Sequence, residues 1–258
     1  MNFKEKIIVV TGGSSGIGKE VVKCIADYGG FVFALGRSPD KFHYFDSINK
    51  KSSGEIIPLK CDVSNYENVE EVFNGIEKDS GLIYGLVNNA GVNPSRNNIL
   101  NTSIKDWEET IKINLTGAFN CSKFAIKQMD ENSKGSIVNI SSIAGLHGLQ
   151  KRVAYSSSKA GLIGLTKSLA IDHARNNIRV NCICPGYVKT NLVNEYLKNL
   201  NESQYELLVN SHPIGRLGSV TDISNAILFL LSEKSSWITG EVLSVDGGYG
   251  LGQPVYEK

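Results

Sequence analysis

Short apolar runs alternate with amphipathic stretches along most of the chain. Runs rich in β-branched residues, typical of buried strands, lie near residues 7–11, 31–35, 56–60, 82–88, 136–141, 178–183 and 241–245. Helical periodicity falls near residues 16–28, 65–79, 103–130, 154–175 and 221–232. Strands that alternate with helices predict a parallel sheet that is covered on both faces. We therefore predict an α/β fold with a doubly wound parallel sheet of about seven strands.

Residues 187–218 interrupt this alternation. They lie between the end of a predicted strand and the last predicted helix, and they carry two short helical patterns, near 192–200 and 203–209. A long excursion at the carboxyl end of a sheet is typical of a lid over a site, although a surface insertion without function is the alternative. We predict one domain over residues 1–258, with a lid at about 187–218.

Length and charge narrow the class of protein. A chain of 258 residues forms one large α/β domain, and 27 Lys and Arg against 26 Asp and Glu provide no strong field for nucleic acid or an anionic membrane. The first apolar run is only four residues long before Thr11-Gly12-Gly13 interrupts it, which does not match a signal peptide. We predict a cytoplasmic protein without nucleic-acid or membrane partners.

The five cysteines are odd in number and lie mostly in predicted strands or helices. We predict that all five are buried thiols in a reducing compartment. Cys182 and Cys184 are expected to point to opposite faces of their strand, and the histidines show no ligand spacing. We therefore predict no metal site.

Tyr155 and Lys159 stand four residues apart at the start of an apolar-periodic run. Such residues share a helix face, with Cβ atoms about 5–6 Å apart. A free tyrosine has a pKa of about 10, and a nearby ammonium favours the phenolate and lowers that pKa. The pair could therefore exchange a proton near neutrality. An isolated pair of this kind is more often a solvated helix face, so the interpretation depends on the rest of the chain.

A glycine-rich turn follows the first predicted strand. The run Ile7-Ile8-Val9-Val10 leads into Thr11-Gly12-Gly13-Ser14-Ser15-Gly16-Ile17-Gly18, and helical periodicity comes next. Strand, glycine turn and helix form the context of a dinucleotide site, because glycines admit a pyrophosphate and a helix N-terminus offers free N–H groups. The spacing is GxxxGxG, not the more common GxGxxG.

Five separated motifs carry a family resemblance. They are Thr11-Gly12-Gly13-Ser14-Ser15-Gly16-Ile17-Gly18, Asn88-Asn89-Ala90-Gly91, Asn114, Ser142 with Tyr155 and Lys159, and Pro185-Gly186. With these motifs in order over residues 3–250, the chain resembles the short-chain dehydrogenase/reductase family. The resemblance implies a single NAD(P)-binding Rossmann domain. It also implies an oxidoreductase that transfers hydride between nicotinamide and a small-molecule carbonyl or secondary alcohol.

The resemblance leaves the specific activity open. The chain is similar both to 3-oxoacyl-carrier-protein reductases and to sugar or polyol dehydrogenases. A non-catalytic dinucleotide-binding module is the alternative from another class of protein.

The same resemblance implies a division of labour among four residues. Ser142 would polarise the substrate oxygen, Tyr155 would exchange a proton with it, and Lys159 would lower the pKa of Tyr155. Asn114, within a predicted helix, would hold a water that connects Lys159 to solvent. The neighbouring Ser141 is the alternative to Ser142, but the family spacing selects Ser142.

The implied cofactor site lies at the carboxyl ends of the strands. It comprises Gly12, Ser14, Ser15, Gly16, Ile17 and Gly18 at the pyrophosphate; Asp62 and Val63 at the adenine; Asn89, Ala90 and Gly91 near the adenosine ribose; and Tyr155, Lys159, Pro185, Gly186, Val188 and Thr190 at the nicotinamide half. Asp62 could equally be a turn residue that caps a helix.

Cofactor choice depends on the end of the second predicted strand, Gly36-Arg37-Ser38. An NAD-selective family member would be expected to carry an acid at the Gly36 position. Here Arg37 follows instead, and a guanidinium suits a 2′-phosphate, to which Ser38 could add a hydroxyl contact. We predict NADP, with NAD possible if Arg37 only stacks on the adenine.

Substrate contacts and assembly are the least constrained features. His147, Gln150, Arg152 and Tyr187 are candidates for the substrate pocket, together with the lid residues Leu192, Val193 and Tyr196. The two long predicted helices at 103–130 and 154–175 are apolar on more than one face. Family members commonly pair these helices across a two-fold axis, so we predict a homotetramer, with a dimer as the next alternative.

Overall fold

A seven-stranded sheet forms the centre of the computed structural model, which describes residues 1–38 and 42–252, except for the side chains of Asn191 and Leu192. The strands are β1 (Ile7–Thr11), β2 (Phe31–Gly36), β3 (Glu55–Lys60), β4 (Gly85–Asn88), β5 (Gly135–Ile140), β6 (Ile178–Pro185) and β7 (Val242–Val245). Their order is β3-β2-β1-β4-β5-β6-β7, and all neighbours are parallel. The predicted strands and the doubly wound topology are confirmed.

Helices cover the sheet. They are α1 (Gly16–Asp27), α2 (Phe45–Asn49), α3 (Tyr66–Ser80), α4 (Ile104–Ile111), α5 (Gly117–Asn132), α6 (Ile143–Leu146), α7 (Val153–His173), α8 (Asn191–Leu197), α9 (Glu202–Asn210) and α10 (Val220–Leu231). The helix predicted over 103–130 is divided, because a π-helical turn at Lys112–Thr116 separates α4 from α5. The sequence pattern does not predict α2 and α6, because helices of five and four residues are too short to show a hydrophobic period.

Two apolar cores lie on the two faces of the sheet. Side chains alternate along a strand, so Ile8 and Val10 of β1 face one core while Ile7 and Val9 face the other. The first core includes apolar residues of α1 and α10, and the second includes those of α3 and α5. This double cover explains why β1 and β5 consist entirely of buried residues.

The strand order indicates where in the fold a ligand site is expected. Both β2 and β4 pair with β1, so the chain's direction across the sheet reverses beside β1. Ligands of open α/β sheets bind beyond the carboxyl ends of the strands at such a switch point. The glycine-rich turn after β1 and the Asn89-Ala90-Gly91 segment after β4 both lie at this edge.

The segment predicted as a lid contains α8 and α9. Its two ends are tied together, because the Lys189 N–H donates to the Gly218 carbonyl and the Gly218 N–H donates to the Tyr187 carbonyl, each at 2.9 Å. The short helices expected there are present. None of the helices in the described parts of the chain has the length and apolar character required to cross a membrane.

Candidate active site

Two depressions meet at the carboxyl edge of the sheet. The first, here called the wide cavity, has a volume of about 550 Å³. Its lining comprises Asn93, Pro94, Arg96, Ser142, Ile143, Leu149, Arg152, Tyr155, Gly186, Tyr187, Val193, Glu195, Tyr196, Asn199 and Leu200. The second, here called the groove, runs from Lys159 and Thr190 past Gly12 to Arg37 and Asp62. Ser142 and Tyr155 line both depressions.

The groove brings together nearly all the residues predicted to hold a cofactor. Its lining includes Gly12, Ser14, Ser15, Gly16, Ile17, Arg37, Ser38, Asp62, Val63, Asn89, Ala90, Gly91, Tyr155, Lys159, Pro185, Gly186, Val188 and Thr190. Gly18 is the exception. It is buried, and a Cβ atom there would collide with the Gly12 carbonyl oxygen and lie 2.5 Å from the Asn89 amide nitrogen. Gly18 therefore packs α1 closely against the turn, and a contact between its backbone N–H and the cofactor stays a prediction.

The turn after β1 has the shape that a pyrophosphate requires. Gly12 has φ +64°, and a Cβ atom there would lie 2.9 Å from the Asn89 amide nitrogen, so a side chain is excluded. Ser15 precedes α1 without a side-chain capping bond, which leaves the first N–H groups of a 12-residue helix available. These groups and the positive end of the helix dipole fit an anionic phosphate.

Thr11 connects the glycine-rich turn to the end of β4, a role that the sequence pattern does not predict. Its hydroxyl oxygen accepts hydrogen bonds from the backbone N–H groups of Asn89 and Ala90, both at 3.0 Å. The Asn89 amide in turn donates to the carbonyl oxygens of Thr11 at 3.0 Å and Gly12 at 3.2 Å. A threonine that ends a buried strand just before a glycine was the available signal.

The outer end of the groove carries Arg37, Ser38 and Asp62. A Cβ atom at Gly36 would lie 3.0 Å from the Phe42 ring and 3.6 Å from the Ser14 hydroxyl, so an acidic side chain has little room there. The Asp62 carboxylate accepts from the backbone N–H of Ser64 at 3.0 Å and from its hydroxyl at 2.8 Å. Asp62 is therefore both a turn residue and part of the groove wall.

Tyr155 and Lys159 lie on α7, as their spacing predicts. The Lys159 nitrogen donates to the Ile140 carbonyl oxygen at 2.7 Å and lies 5.7 Å from the centre of the Tyr155 ring. Burial lowers the pKa of Lys159 to about 8, against the opposing effects of Cys182 and Cys184. Burial also raises the pKa of Tyr155, although Ser142 and Arg152 act in the other direction. Burial therefore sets the net direction in this structure, and the expectation that Lys159 lowers the pKa of Tyr155 stays a prediction.

Ser142 and Ser141 differ in where their hydroxyls are bonded. Ser142 begins α6, and its oxygen accepts from the Ala144 N–H at 3.1 Å while the residue lines both depressions. The buried Ser141 hydroxyl donates to the Lys159 carbonyl at 2.8 Å. The Ser141 hydroxyl is thus committed to the protein interior, which leaves Ser142 beside Tyr155.

Asn114 lies in the π-helical turn and is buried. Its amide oxygen accepts from the Val92 N–H at 2.7 Å, and its amide nitrogen donates to the Val92 carbonyl at 2.9 Å and to the Ser158 hydroxyl at 3.0 Å. The amide therefore ties the segment after β4 to α7. The water that Asn114 is expected to hold stays a prediction, and this engaged amide leaves the task to other atoms of the turn.

The predicted substrate residues divide into two groups. Ser142, Tyr155, Tyr187, Arg152, Val193 and Tyr196 line the wide cavity. His147 and Gln150 are exposed and are not part of its lining, so their substrate contact stays a prediction; a Cβ atom at Gly250 would lie 2.9 Å from the His147 Nε2. Both residues follow α6, a short helix absent from the predicted elements. The Leu192 side chain lies outside the described residues. Arg96 and Glu195 also line the wide cavity, although the sequence does not predict them there.

The cysteines depart from expectation in two ways. Cys61, Cys121, Cys182 and Cys184 are buried free thiols, but the free thiol Cys24 in α1 is only partly buried. The thiols of Cys182 and Cys184 interact, so the expectation that they point to opposite faces is wrong. Residues two apart on a strand share a face. Within residues 1–38 and 42–252, no three His, Cys, Asp or Glu side chains cluster as a metal site would require.

Similar proteins agree with this architecture. The family described as Enoyl-(Acyl carrier protein) reductase matches residues 12–250. A 3-oxoacyl-[acyl-carrier-protein] reductase FabG of Buchnera aphidicola subsp. Schizaphis graminum (strain Sg) is 40% identical over 249 residues, which cover 96% of this chain and 98% of that protein. A 3alpha-hydroxysteroid dehydrogenase of Mediterraneibacter gnavus (strain ATCC 29149 / DSM 114966 / JCM 6515 / VPI C7-9) is 37% identical over 256 residues, with 96% and 98% covered.

A solved structure is similar to this chain over nearly its whole length. The one described as "ElxO with NADP Bound" superposes with a TM-score of 0.89 at 35% identity, and the match covers 95% of this chain and 99% of that one. The identity and coverage of these matches far exceed what a shared fold alone would produce. The chain therefore belongs to the short-chain dehydrogenase/reductase family of oxidoreductases.

Proposed function

We propose that the protein transfers hydride between NADP(H) and a carbonyl or secondary alcohol substrate, with Tyr155 as the acid/base residue. One observation carries this proposal: Ser142 and Tyr155 line both the groove and the wide cavity. A substrate oxygen in the wide cavity can therefore reach both hydroxyls while a nicotinamide in the groove faces the adjoining carbon. Close approach of this kind is the main requirement of hydride transfer between two bound molecules.

Each residue of the site has a distinct task in carbonyl reduction. Bound NADPH supplies the hydride. The Ser142 hydroxyl donates a hydrogen bond to the substrate oxygen and stabilises the charge that develops there. Tyr155 donates its proton to that oxygen, and in alcohol oxidation it accepts the proton instead. Lys159, held at the Ile140 carbonyl, lies where its charge stabilises the phenolate that remains.

NADP is the cofactor that the outer groove favours. Arg37 and Ser38 line the end of the groove where the adenosine ribose would lie, and Gly36 carries no acid that would select the 2′-hydroxyl. The structurally similar ElxO is described with NADP bound. NAD remains the second cofactor, because an exposed arginine can also stack on an adenine ring.

The segment 187–218 serves as the substrate lid of a single domain that spans 1–258. Tyr187 and the α8 residues Val193 and Tyr196 form one wall of the wide cavity. The paired backbone bonds between Gly218 and the 187–189 strand segment hold the base of this lid, so a movement of α8 would open the cavity without unfolding the sheet.

The test of this function is a substrate panel with NADPH and NADH, followed at the nicotinamide absorbance. The panel contains 3-oxoacyl thioesters, 3-oxosteroids, and sugars and polyols. We place 3-oxoacyl thioesters first, because a 3-oxoacyl-[acyl-carrier-protein] reductase is 40% identical to this chain. Cofactor binding without turnover of any carbonyl or alcohol would contradict the function and favour a non-catalytic dinucleotide-binding module.

The proposal also covers the oligomeric state of the protein and the compartment in which it works. Phe119 of α5 is 47% exposed and Ile171 of α7 is 80% exposed, so both helices present apolar residues that the described chain leaves uncovered. Self-complementary patches of this kind favour closed symmetric assemblies, and we place these helices at the interface of a homotetramer. Five free cysteines are consistent with a reducing compartment such as the cytoplasm.

A further inference from the structure

Two guanidinium groups project onto the wall of the wide cavity. Arg96 lies in the segment after β4 and Arg152 immediately precedes α7, so residues far apart in sequence meet at one cavity. The Arg96 guanidinium carbon is 3.5 Å from the centre of the Tyr196 ring, a cation–π arrangement that holds the group against the lid. The two residues differ in exposure, because Arg96 is exposed and Arg152 is partly buried.

These positive charges lack acidic partners. Within the parts of the chain that the structure describes, neither arginine forms an ion pair. The Arg152 Nη1 donates to the Lys151 carbonyl at 3.2 Å, and its Nε lies 3.3 Å from the Asn93 amide oxygen in the amide orientation that satisfies both groups. The acid on the cavity wall, Glu195, is bound by Lys198 at 2.7 Å.

An uncompensated charge that is partly buried is costly, and a like charge beside it adds to the cost. Burial and, after it, the charge of Arg96 lower the pKa of Arg152. The geometric observation beside it is that both guanidinium groups belong to the lining of one cavity. An anion between them would relieve both the burial cost and the repulsion, and a guanidinium binds carboxylate or phosphate through paired hydrogen bonds.

We propose that the carbonyl substrate carries an anionic oxygen group, a carboxylate or a phosphate, which Arg96 and Arg152 bind while its carbonyl group faces Ser142 and Tyr155. This inference rests on the proposed function. The hydrocarbon part of the substrate contacts the apolar wall, which includes Leu149 and Leu200.

Calorimetry on the NADP⁺ complex tests the anion site without any turnover. The probes are cyclohexanecarboxylate, cyclohexyl phosphate and the neutral cyclohexanecarboxamide. We expect at least one anion to bind tenfold or more tightly than the amide, because a charge-assisted hydrogen bond exceeds the free energy that corresponds to one decade of affinity. Comparison of cyclohexanecarboxylate with cyclohexyl phosphate shows whether the site prefers a carboxylate or a phosphate.

The same titrations on Arg96→Gln and Arg152→Gln should each lose about tenfold or more of the preferred anion's affinity. Lys151→Gln is the matched control: it removes a positive charge from the adjacent residue, whose exposed side chain does not line the cavity, and it should change the affinity less than twofold. The proposal is overturned if the amide binds as tightly as both anions, if neither anion binds, or if the preference survives in the double arginine variant.

Kinetics separate this inference from the proposed function. The substrates are 4-oxocyclohexanecarboxylate and its methyl ester, and the measured quantity is the ratio of their kcat/KM values with NADPH. We expect the acid to be preferred and the ratio to fall at least tenfold in either arginine variant. Reduction of the ester but not of the acid would overturn the anion site alone. Anion binding by calorimetry, with no carbonyl compound of the whole panel reduced, would contradict the proposed function and leave the anion site standing.

Discussion

The Lys159 ammonium nitrogen lies 5.7 Å from the centre of the Tyr155 ring and donates to the Ile140 carbonyl oxygen at 2.7 Å. The ammonium is thus anchored to the end of β5 and does not bond to the phenol. Burial raises the pKa of Tyr155 above its ordinary value, so the phenol holds its proton at neutral pH. A protonated tyrosine is a general acid, the form that donates a proton to a carbonyl oxygen.

We predict that Tyr155→Phe keeps the fold and cofactor binding but lowers kcat by roughly 10²–10⁴-fold, because the ring still packs while the proton donor is lost. Steady-state kinetics and NADPH fluorescence titration measure the two effects separately. Tyr205→Phe, on α9 and away from the cavity lining, is the control. Near-normal turnover in Tyr155→Phe would remove Tyr155 from the mechanism.

The two adjacent serines provide a matched pair. Ser142→Ala should lower kcat/KM by about 10²-fold, since it removes a donor to the developing charge on the substrate oxygen. Ser141→Ala removes a buried hydrogen bond to the Lys159 carbonyl, and we expect it to lower the free energy of unfolding by about 1 kcal/mol. Kinetics and urea unfolding of both variants check the assignment, which fails if Ser141→Ala loses more activity than Ser142→Ala.

Arg37→Ala should weaken NADPH binding far more than NADH binding. A charge-assisted contact with the 2′-phosphate contributes about 1.5–3 kcal/mol, and NADH lacks that phosphate. KM values for both cofactors, measured on the wild type and on the variant, provide the test, with Arg175→Ala as a control at an exposed position remote from the groove. Equal wild-type KM values for NADPH and NADH would contradict the cofactor assignment.

Lys159 should make stability depend on pH. Burial lowers its pKa from 10.5 to about 8, so between these values the unfolded chain binds more protons at this site than the folded protein does. The contribution of Lys159 to the free energy of unfolding therefore rises with pH across this window, by on the order of 3 kcal/mol in total. Lys159→Met lacks this contribution, and all other titrating groups are common to both proteins.

Urea unfolding under reducing conditions at pH 7.5, 9 and 10.5 measures this difference. We expect wild type to gain stability relative to Lys159→Met as the pH rises. Lys167→Met changes an exposed lysine on the same helix and should follow the wild-type profile. Parallel pH profiles for wild type and Lys159→Met would show that Lys159 titrates alike in the folded and unfolded states.

Light scattering at low micromolar concentration should give a mass of four chains of 28.1 kDa. Ile171→Asp places a charge on the exposed apolar surface of α7 and should shift the mass toward dimer or monomer, because an unpaired charge in an interface is costly. Ile99→Asp, at another exposed apolar position outside α5 and α7, is the comparison. A wild-type mass near that of one chain would end the tetramer proposal.

Patterns in the sequence predict the sheet, its parallel topology and the positions of the glycine turn and the Tyr155/Lys159 pair. These features follow from short-range patterns: β-branched runs mark β1 and β5, glycine spacing marks the turn, and a separation of four residues places two side chains on one helix face. Helices as short as α6 have no period to detect, so the course of the chain between Ser142 and Tyr155 is not predicted by the sequence.

The tertiary structure sets which of these residues share a surface and what their surroundings do to them. The Ser141 hydroxyl donates to the Lys159 carbonyl, Gly18 packs against the turn at Gly12, and Arg96 lines the same cavity as Arg152. Burial raises the pKa of Tyr155, an effect that the spacing of Tyr155 and Lys159 does not reveal. Burial and the proximity of charges depend on contacts between distant parts of the chain, and no local spacing in a sequence contains them.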